Sequence, residues 1–331
     1  MTLEDGYRAI QQQAAIGAVA PRRQIAVAGQ DRAAYLQGLL TNDILALTPG
    51  TGCYSAWLSP QGRMLTDMHV LESGGMILLD VPAETLESTI QRLEQFIFTE
   101  DVRVGSLVES MSGVWLHGPR VASVLEQVID GARGLSEWAE YRHMQFEFGE
   151  SPVSIVRISQ LGVPGFCVYV ERARVPAVVS ALSEAGAVAV SEDAVAAARI
   201  EVAYPVFGID MTDETIPLEA GIESRAISFT KGCYVGQEVI IRVLHRGHGR
   251  VAKKLVSVRI DGQRPERGAK FLAADREIGS VTSAADSPRL GTIALGYVHR
   301  DFVAPGTPLE VETPSGRTSA IVTETPVPSV A

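Results

Sequence analysis

The segment at residues 230–249, TKGCYVGQEVIIRVLHRGHG, constrains this chain more than any other part of its sequence. Its first part carries a lysine, a cysteine, a tyrosine, a glutamine and a glutamate, a mixture that a core strand or helix does not tolerate. Gly232 and Gly236 indicate backbone that turns tightly or lets another group approach closely. The apolar run that follows, with Arg242 inside it, predicts a buried strand over residues 239–243.

We therefore expect a compact polar loop held by a rigid core element, which suits a functional site. A second interpretation stays open on the residues alone, in which the segment is a glycine-rich connection and Cys233 is a satisfied core cysteine. Free cysteines are often simply buried, so the chemistry of the segment does not decide between the two.

The eight residues KGCYVGQE, at 231–238, resemble the signature of the YgfZ-type folate-binding proteins, which include mitochondrial iron–sulfur assembly factors. These proteins are relatives of the glycine-cleavage T-protein, an aminomethyltransferase. The match is specific because it contains three unusual residue types at fixed spacing. Apart from Val235, its members are Lys231, Gly232, Cys233, Tyr234, Gly236, Gln237 and Glu238.

The composition indicates what class of protein the chain belongs to. With 331 residues and 46% hydrophobic content, we expect one large domain or two to three modest ones, with a sizeable buried core. The N-terminus has neither a basic region nor an apolar stretch, so we expect no secretory signal. Cys53, Cys167 and Cys233 show neither a CxxC pair nor zinc spacing, which predicts reduced thiols, a cytoplasmic location and no metal site. We interpret Cys53 and Cys167, which are flanked by strand residues, as structural.

The charge of the chain is uneven. The net charge is −10, which argues against broad nucleic-acid binding, and no apolar stretch is long enough for a membrane span. Residues 231–260 nevertheless carry seven basic residues and one acid, a net charge of +6. This local positive field favours a small anionic ligand over a long polyanion. A solvated strand edge rich in Arg and Lys explains the same pattern equally well.

Strands and helices alternate before residue 250, with hairpins among them, which predicts an α+β fold rather than a parallel sheet. We expect a folate-binding domain of two subdomains at residues 1–246 and a C-terminal β-barrel at 247–331. Six short strands separated by Gly, Pro and Asp turns predict the barrel. They lie at residues 255–260, 269–272, 278–283, 292–298, 308–311 and 317–322. Residues 279–302 also resemble the barrel signature of the T-protein.

A predicted hairpin at residues 53–71 carries the sequence QGRMLTD, which resembles the T-protein hairpin with the folate-facing acid. In that family two adjacent acids follow a glycine pair. Here the pair is Gly62-Arg63, the first acid is replaced by Thr66, and only Asp67 remains. This departure argues against aminomethyl transfer. The nearby Thr41-Asn42-Asp43 also resembles a T-protein element, although simple helix caps and turn formers explain it as well.

A third resemblance spans residues 199–221 and follows the T-protein pattern R-x-E…G-x-D…P-x-E-A-G. The matching positions are Arg199, Glu201, Gly208, Asp210, Pro217, Glu219, Ala220 and Gly221. The resemblance implies that Glu201 holds the pterin ring. A carboxylate can accept both the amino group and the adjacent ring N–H of a pterin as a bidentate pair. Without the resemblance, Glu201 is better interpreted as an exposed helix acid paired with Arg199 or solvent.

Together the resemblances imply three modules in a ring, two folate-binding α+β subdomains and a C-terminal barrel, with tetrahydrofolate or a one-carbon derivative in the central funnel. They also imply a role in maturing or repairing iron–sulfur proteins, with reduced folate and iron–sulfur client or assembly proteins as partners. The candidate catalytic residues are Cys233, Lys231 and Asp67. The candidate folate-binding residues are Glu201, Arg199, Asp67, Tyr234, Gln237 and Arg242.

Cys233 is the candidate reactive group because Lys231 lies two residues away and a nearby positive charge favours the thiolate. It could attack a one-carbon unit, take a persulfide or contact a cluster, although one thiol cannot hold a cluster alone. No defined reaction follows from the sequence. Two other classes stay open: a folate-dependent aminomethyl- or methyltransferase, and a non-catalytic docking protein with a vestigial folate pocket.

Overall fold

The computed structural model of the chain describes residues 1–245 and 250–324. The predicted domain boundary between residues 246 and 247 lies outside the described residues. The helices are α1 Leu3–Gln12, α2 Arg32–Leu39, α3 Leu86–Gln95, α4 Val121–Val128, α5 Val175–Glu184, α6 Glu192–Glu201, α7 Pro217–Ala220, α8 Glu223–Ala226 and α9 Gln237–His245. None of these described helices is long and apolar enough to cross a membrane.

The structure describes seventeen strands. They are β1 Ala15–Ile16, β2 Arg22–Ala28, β3 Thr51–Leu58, β4 Met64–Glu72, β5 Met76–Pro82, β6 Arg103–Ser106, β7 Met111–His117, β8 His143–Phe148, β9 Ser151–Arg157, β10 Gly165–Glu171, β11 Val188–Ala189, β12 Lys253–Ile260, β13 Lys270–Ala273, β14 Arg276–Ser287, β15 Gly291–His299, β16 Pro308–Thr313 and β17 Gly316–Thr323.

Two open sheets form the N-terminal part of the fold. The first has the order β3-β4-β5-β2-β6 and is antiparallel throughout, with α2 and α3 packed against it. The second has the order β11-β1-β7-β10-β9-β8, with one parallel pair at β1 and β11. Each sheet buries its own apolar core, and a third cluster around Trp115 and Tyr169 lies between the two sheets. The predicted α+β class and two-module organisation are confirmed.

The six C-terminal strands close into a barrel in the order β12-β15-β14-β13-β16-β17. Every predicted barrel strand corresponds to one of them, which confirms the β-barrel prediction. The barrel interior is filled by apolar side chains such as Phe271, Val281 and Val311. Helix α6 packs against β14 and β15 and α1 packs on α6, so the barrel is joined to the second module by a shared apolar cluster.

The predicted strand over residues 239–243 is wrong, because these residues lie inside helix α9. Ile240 is buried, Val243 is partly buried, and Ile241 and Arg242 are exposed. The burial therefore follows a helical period of three to four residues rather than the alternation of a strand. A short apolar run is compatible with either element, and here packing against the β3–β4 hairpin decides in favour of the helix.

Candidate functional site

The Cys233 segment, residues 231–236, lies between α8 and α9, directly before α9, and contacts the C-terminal end of α2. The Val235 amide donates to the Gly38 carbonyl at 3.3 Å. Gly236 has a φ of +84°, and a Cβ there would lie 2.5 Å from the Ser59 carbonyl oxygen in the β3–β4 turn. Cys233 itself is exposed, whereas Tyr234 is buried. The segment therefore presents its thiol to solvent while the residues that follow are packed.

Lys231 points away from solvent, into the end of helix α2. Its Nζ donates to three backbone carbonyls, those of Gln37 at 2.7 Å, Leu40 at 2.6 Å and Asn42 at 2.9 Å. Burial lowers the pKa of the Lys231 ammonium to about 8, although the Asp43 carboxylate opposes this shift. An ammonium has three donors, so all of them are used on backbone oxygens. Lys231 is therefore not the hydrogen-bond partner of Cys233 that its sequence position suggests.

The remaining residues of the motif lie on α9. Gln237 and Glu238 occupy its first turn, and Arg242 lies on its exposed face. The Gln237 amide donates to the Tyr234 carbonyl at 3.2 Å, but among the described residues no side-chain hydrogen bond or ion pair joins Gln237, Glu238 or Arg242 to another predicted site residue. The fold does bring the start of α9 against the hairpin, since a Cβ on Gly62 would lie 2.7 Å from Cβ of Val239. The hairpin motif and the KGCYVGQE motif are thus neighbours in space.

Asp67 lies on β4 and is buried in a network of ions and hydroxyl groups. Its Oδ1 accepts from Arg22 Nη1 at 3.0 Å, and its Oδ2 accepts from the Tyr54 hydroxyl at 2.8 Å. Arg22 also donates from Nε to Asp80 at 2.7 Å. Burial opposes the charge of Arg22, but the carboxylates of Asp67 and Asp80 raise its pKa above the ordinary value.

Burial also raises the pKa of Tyr54 and of Asp80. Both carboxylate oxygens of Asp67 thus have protein partners. Thr66, its neighbour on the strand, points the other way and bonds to the Thr85 hydroxyl at 2.8 Å.

An aromatic cage surrounds His69 at the junction of the two sheets. The ring centroid of His69 lies 5.6 Å from that of Tyr54, 5.9 Å from Trp115 and 5.7 Å from Tyr141. Both ring nitrogens are buried without a hydrogen-bond partner among the described residues. Burial lowers the pKa of His69 well below its ordinary value, and the charge of Arg22 adds to this shift, so the ring is neutral at pH 7.

Arg225 connects this cluster to a cavity. Its guanidinium carbon lies 4.6 Å from the ring centroid of Tyr54 and 4.2 Å from that of Tyr204. Both aromatic contacts are within the range of cation–π attraction. Arg225 and Tyr204 line a cavity of about 350 Å³, which we call the central cavity, between the α7–α8 region and the barrel. Its other charged or apolar lining residues include Glu223, Lys254, Leu255, Leu295 and Val303.

Two polar atoms near the central cavity have no hydrogen-bond partner among the described residues. They are Nη2 of Arg225 and Oε2 of Glu223, and both are buried from solvent. Buried polar atoms normally find partners. Because neither atom is exposed to the cavity, a polar ligand there would reach them only after neighbouring side chains shift. Tyr204 and the adjacent Pro205 also border a small pocket that contains Asp67, so the cavity and the acid lie on either side of this dipeptide.

Glu201, which the sequence assigns to a pterin or to solvent, is buried and bonded by side chains from three elements. Its carboxylate accepts from the Tyr7 hydroxyl on α1 at 2.9 Å, from the Ser287 hydroxyl, and from Nη2 of Arg289 at 2.6 Å. The prediction of an exposed acid paired with Arg199 is wrong. Because both oxygens are already engaged, a pterin at this position would have to displace Ser287, Arg289 or Tyr7.

Arg199 and Asp210 form a second buried ion pair, with an N–O distance of 2.6 Å. The other oxygen of Asp210 accepts from the hydroxyls of Thr282 at 2.6 Å and Ser283 at 2.7 Å, both on barrel strand β14. Arg199 also donates to the Tyr204 carbonyl at 2.9 Å. These contacts join α6, the segment after it and the barrel. The R-x-E…G-x-D pattern therefore builds a junction between modules.

Sequence reasoning missed Tyr54, His69, Tyr204 and Arg225 as site residues. A single polar or aromatic residue in an apolar strand or a short helix has no local pattern that distinguishes a cavity wall from a core position. One signal was present: Arg225 lies four residues after Gly221, which ends the P-x-E-A-G pattern, with apolar residues nearby at Ile222, Ala226 and Ile227. A charged residue inside such a stretch indicates a satisfied or functional buried charge.

Comparisons with known proteins agree with this architecture. The GCVT N-terminal domain matches residues 2–231, and the glycine cleavage T-protein C-terminal barrel domain matches residues 253–327. An aminomethyltransferase from Moorella thermoacetica is 31% identical over 297 residues, which cover 87% of this chain and 79% of the relative. One from Rubrobacter xylanophilus is 28% identical over 325 residues, which cover 98% of this chain and 83% of the relative.

Among solved structures, the glycine cleavage system aminomethyltransferase T from Bartonella henselae has a TM-score of 0.86. The match covers 98% of this chain and 89% of that chain at 22% identity, so it shows a shared fold. The two family models follow one another along the chain in the order in which the α+β modules and the barrel do. This chain belongs to the glycine-cleavage T-protein family.

Proposed function

We propose that this chain binds a reduced folate, tetrahydrofolate or a one-carbon derivative, and uses Cys233 in the maturation or repair of iron–sulfur proteins in the cytoplasm. The observation that carries the proposal is the contrast between its two candidate reactive groups. The Asp67 carboxylate is buried and bonded by Arg22 and Tyr54. The Cys233 thiol is exposed. A protein with this arrangement has an exposed thiol outside the central cavity and a restrained acid in the adjoining small pocket.

The central cavity supports the folate part of the proposal. Its volume of about 350 Å³ falls in the range of small-molecule sites, which are mostly apolar with a few fixed polar groups. A reduced folate carries a pterin head with one planar ring and a tail with carboxylates. Tyr204 and Leu255 offer apolar surface, and Arg225 and Lys254 offer positive charge for the tail. Nη2 of Arg225 has no hydrogen-bond partner among the described residues, and once a side-chain shift exposes it to the cavity it is suited to a carboxylate, which guanidinium groups bind with directed hydrogen bonds.

A titration of the purified protein with tetrahydrofolate tests this part. Arg225→Met should weaken folate binding by about tenfold or more, since hydrogen bonds to charged groups contribute roughly 1.5–3 kcal/mol. The same variant should bind a tetrahydropterin that lacks the aminobenzoyl-glutamate tail as well as the unchanged protein does. Arg264→Met is the matched control, because Arg264 is exposed and lies outside the central cavity.

Equal folate affinity in Arg225→Met and the unchanged protein contradicts the assignment of Arg225 to the tail. A failure of the unchanged protein to bind any reduced folate contradicts the folate proposal as a whole. That second outcome favours a docking protein with a vestigial pocket.

The role of Cys233 is tested in cells that lack the chain and show a defect in iron–sulfur enzymes. Cys233→Ser should fail to restore those enzyme activities while keeping its folate affinity. Cys53→Ser and Cys167→Ser serve as cysteine controls and should act, if at all, through stability. Full restoration by Cys233→Ser contradicts the proposed use of the thiol.

Aminomethyl transfer is the second candidate function, and the curated relatives that carry the name aminomethyltransferase favour it. Asp67 is the acid that such a reaction would use. We expect no efficient transfer from an aminomethyl donor to tetrahydrofolate, because Thr66 replaces the first acid of the family pair and Asp67 is held by Arg22. Sustained turnover that Asp67→Asn abolishes would establish the transferase function instead.

A further inference from the structure

Residues 41 and 42, directly after α2, form a dock for residues 225–231. The Thr41 hydroxyl donates to the Ala226 carbonyl at 2.6 Å, and the Ser228 amide donates to the Thr41 carbonyl at 3.1 Å. The Asn42 side chain donates to the Arg225 carbonyl at 3.1 Å and to the Tyr54 carbonyl at 2.8 Å. The bonds to Arg225, Ala226 and Ser228 connect parts of the chain that are more than 180 residues apart in sequence. These hydrogen bonds join uncharged groups, so they fix the position of residues 225–231 without changing the local charge.

The ammonium of Lys231 adds a further contact to this dock, at the end of α2. The last carbonyls of a helix have no partner within the helix and carry the negative end of its dipole. In α2 two of these oxygens, on Gln37 and Leu40, converge with the Asn42 carbonyl on a single cation. Tyr234 adds its ring face at 5.2 Å from Nζ. Lys231 therefore caps α2 from a distant part of the chain.

The thiol lies between two fixed points. On its N-terminal side, the backbone is held by Lys231, whose amide also donates to the Ser228 hydroxyl at 3.3 Å. On its C-terminal side, the Val235 amide bonds to α2 and Gly236 packs against the Ser59 carbonyl. Gly232 itself has open space around it. The only exposed reactive atom of the segment is thus carried on a short span whose two ends are anchored on the first module.

We infer that Lys231 is a positioning residue, which holds the Cys233 segment on the end of α2, and that Asn42 completes the dock. Lys231 does not act as the base or as the hydrogen-bond donor that activates the thiol. The biological use of the positioned thiol rests on the proposed function, but the positioning itself does not. A protein client would then meet Cys233 at one defined place beside the β3–β4 hairpin.

Hydrogen exchange separates positioning from activation. In the full chain without folate or client, Lys231→Met should raise the exchange of the amides of Ser228, Lys231 and Val235. The expected increase is about tenfold or more, as for the loss of a charge-assisted hydrogen bond. Asn42→Ala should raise the exchange of the same amides, although it changes no charge. Lys270→Met is the control, because Lys270 is an exposed barrel lysine paired with Glu277.

Alkylation of Cys233 by iodoacetamide, followed across pH, completes the experiment. Positioning predicts that Lys231→Met and Asn42→Ala leave the midpoint of the pH profile within the error of the unchanged protein. An upward shift of that midpoint in Lys231→Met, with unchanged amide exchange, overturns the inference in favour of thiolate activation. Unchanged exchange in both variants overturns it as well. Neither measurement contains folate or an iron–sulfur protein, so its failure is distinct from a failure of the proposed function.

Discussion

Two regions of the molecule are rich in charged and polar residues: the module junction at Arg199, Glu201 and Asp210, and the Cys233 segment. Their polar groups differ in burial and in the partners that they bind. At the junction, the buried charged groups have protein partners, and those partners come from α1, the segment after α6 and barrel strand β14. In the Cys233 segment, the charge of Lys231 is used on backbone oxygens and the thiol is exposed.

This difference separates two uses of polar residues that sequence motifs do not distinguish. Buried charges that are fully paired specify how modules meet, because removing one partner leaves the other charge unpaired in a medium of low polarity. An exposed thiol on an anchored segment adds little to folding and remains available for chemistry. Substitutions in the two regions should therefore differ most in what they do to stability.

The largest effect is expected for Asp210→Asn. The substitution removes the carboxylate charge and leaves Arg199 buried without a counterion. The side chain of Asp210 is 0% exposed and that of Arg199 is 5% exposed. Breaking such a pair costs about 3–5 kcal/mol of the free energy of unfolding. Urea denaturation gives this value, and Asp193→Asn is the control, since its ion pair with Arg264 is exposed at 3.8 Å. A loss below about 1 kcal/mol would show that the junction tolerates an unpaired charge.

An intermediate effect is expected for Glu201→Gln. The substitution weakens the bonds from Tyr7, Ser287 and Arg289, and we expect a loss of about 1–3 kcal/mol in unfolding free energy. Tyr7→Phe removes one donor without touching the barrel and should lose less. The prediction from family resemblance is different, because it places the main effect on folate affinity. An unchanged free energy of unfolding together with a tenfold loss of folate affinity would therefore support Glu201 as a folate-binding residue.

A smaller and pH-dependent effect is expected at Cys53. Burial raises the pKa of its thiol to about 12, so the folded state keeps the proton at a pH where the unfolded chain loses it. This contribution to stability is complete below about pH 9 and is lost as the pH rises toward 12. Cys53→Ala should make the decline in unfolding free energy between these values less steep. An identical slope in both proteins would mean that Cys53 titrates normally in the fold.

The smallest effect on stability is expected for Cys233→Ser. The side chain is exposed, so the free energy of unfolding should change by no more than about 0.5 kcal/mol. Cys167→Ser provides the contrast, because Cys167 is fully buried and a hydroxyl there costs about 1–3 kcal/mol unless it finds a partner. Equal losses in the two variants would place Cys233 in the core and remove the distinction between the two regions.

The barrel strands and the β3–β4 hairpin were predictable because their signals are local. Turn residues at regular intervals separate short apolar strands. These strands pair with one another to form the closed barrel. The family resemblance extended this to the three modules. The same local reasoning failed at residues 239–243, where a short apolar run fits a strand or a helix until its neighbours are known.

The sequence by itself determined the α+β class, the barrel, the lone acid of the hairpin and the presence of a cysteine motif, but not whether its thiol is exposed. Only the tertiary structure decided which partner each of these charged side chains binds. Lys231 meets the Gln37 carbonyl across 194 residues, and Tyr7 meets Glu201 across the same separation. Such pairings depend on how modules pack, because a buried charge takes its partner from whichever element the fold brings within hydrogen-bond distance. For that reason Lys231 and Glu201, adjacent to reactive or ligand-like motifs in sequence, are anchors in the folded chain.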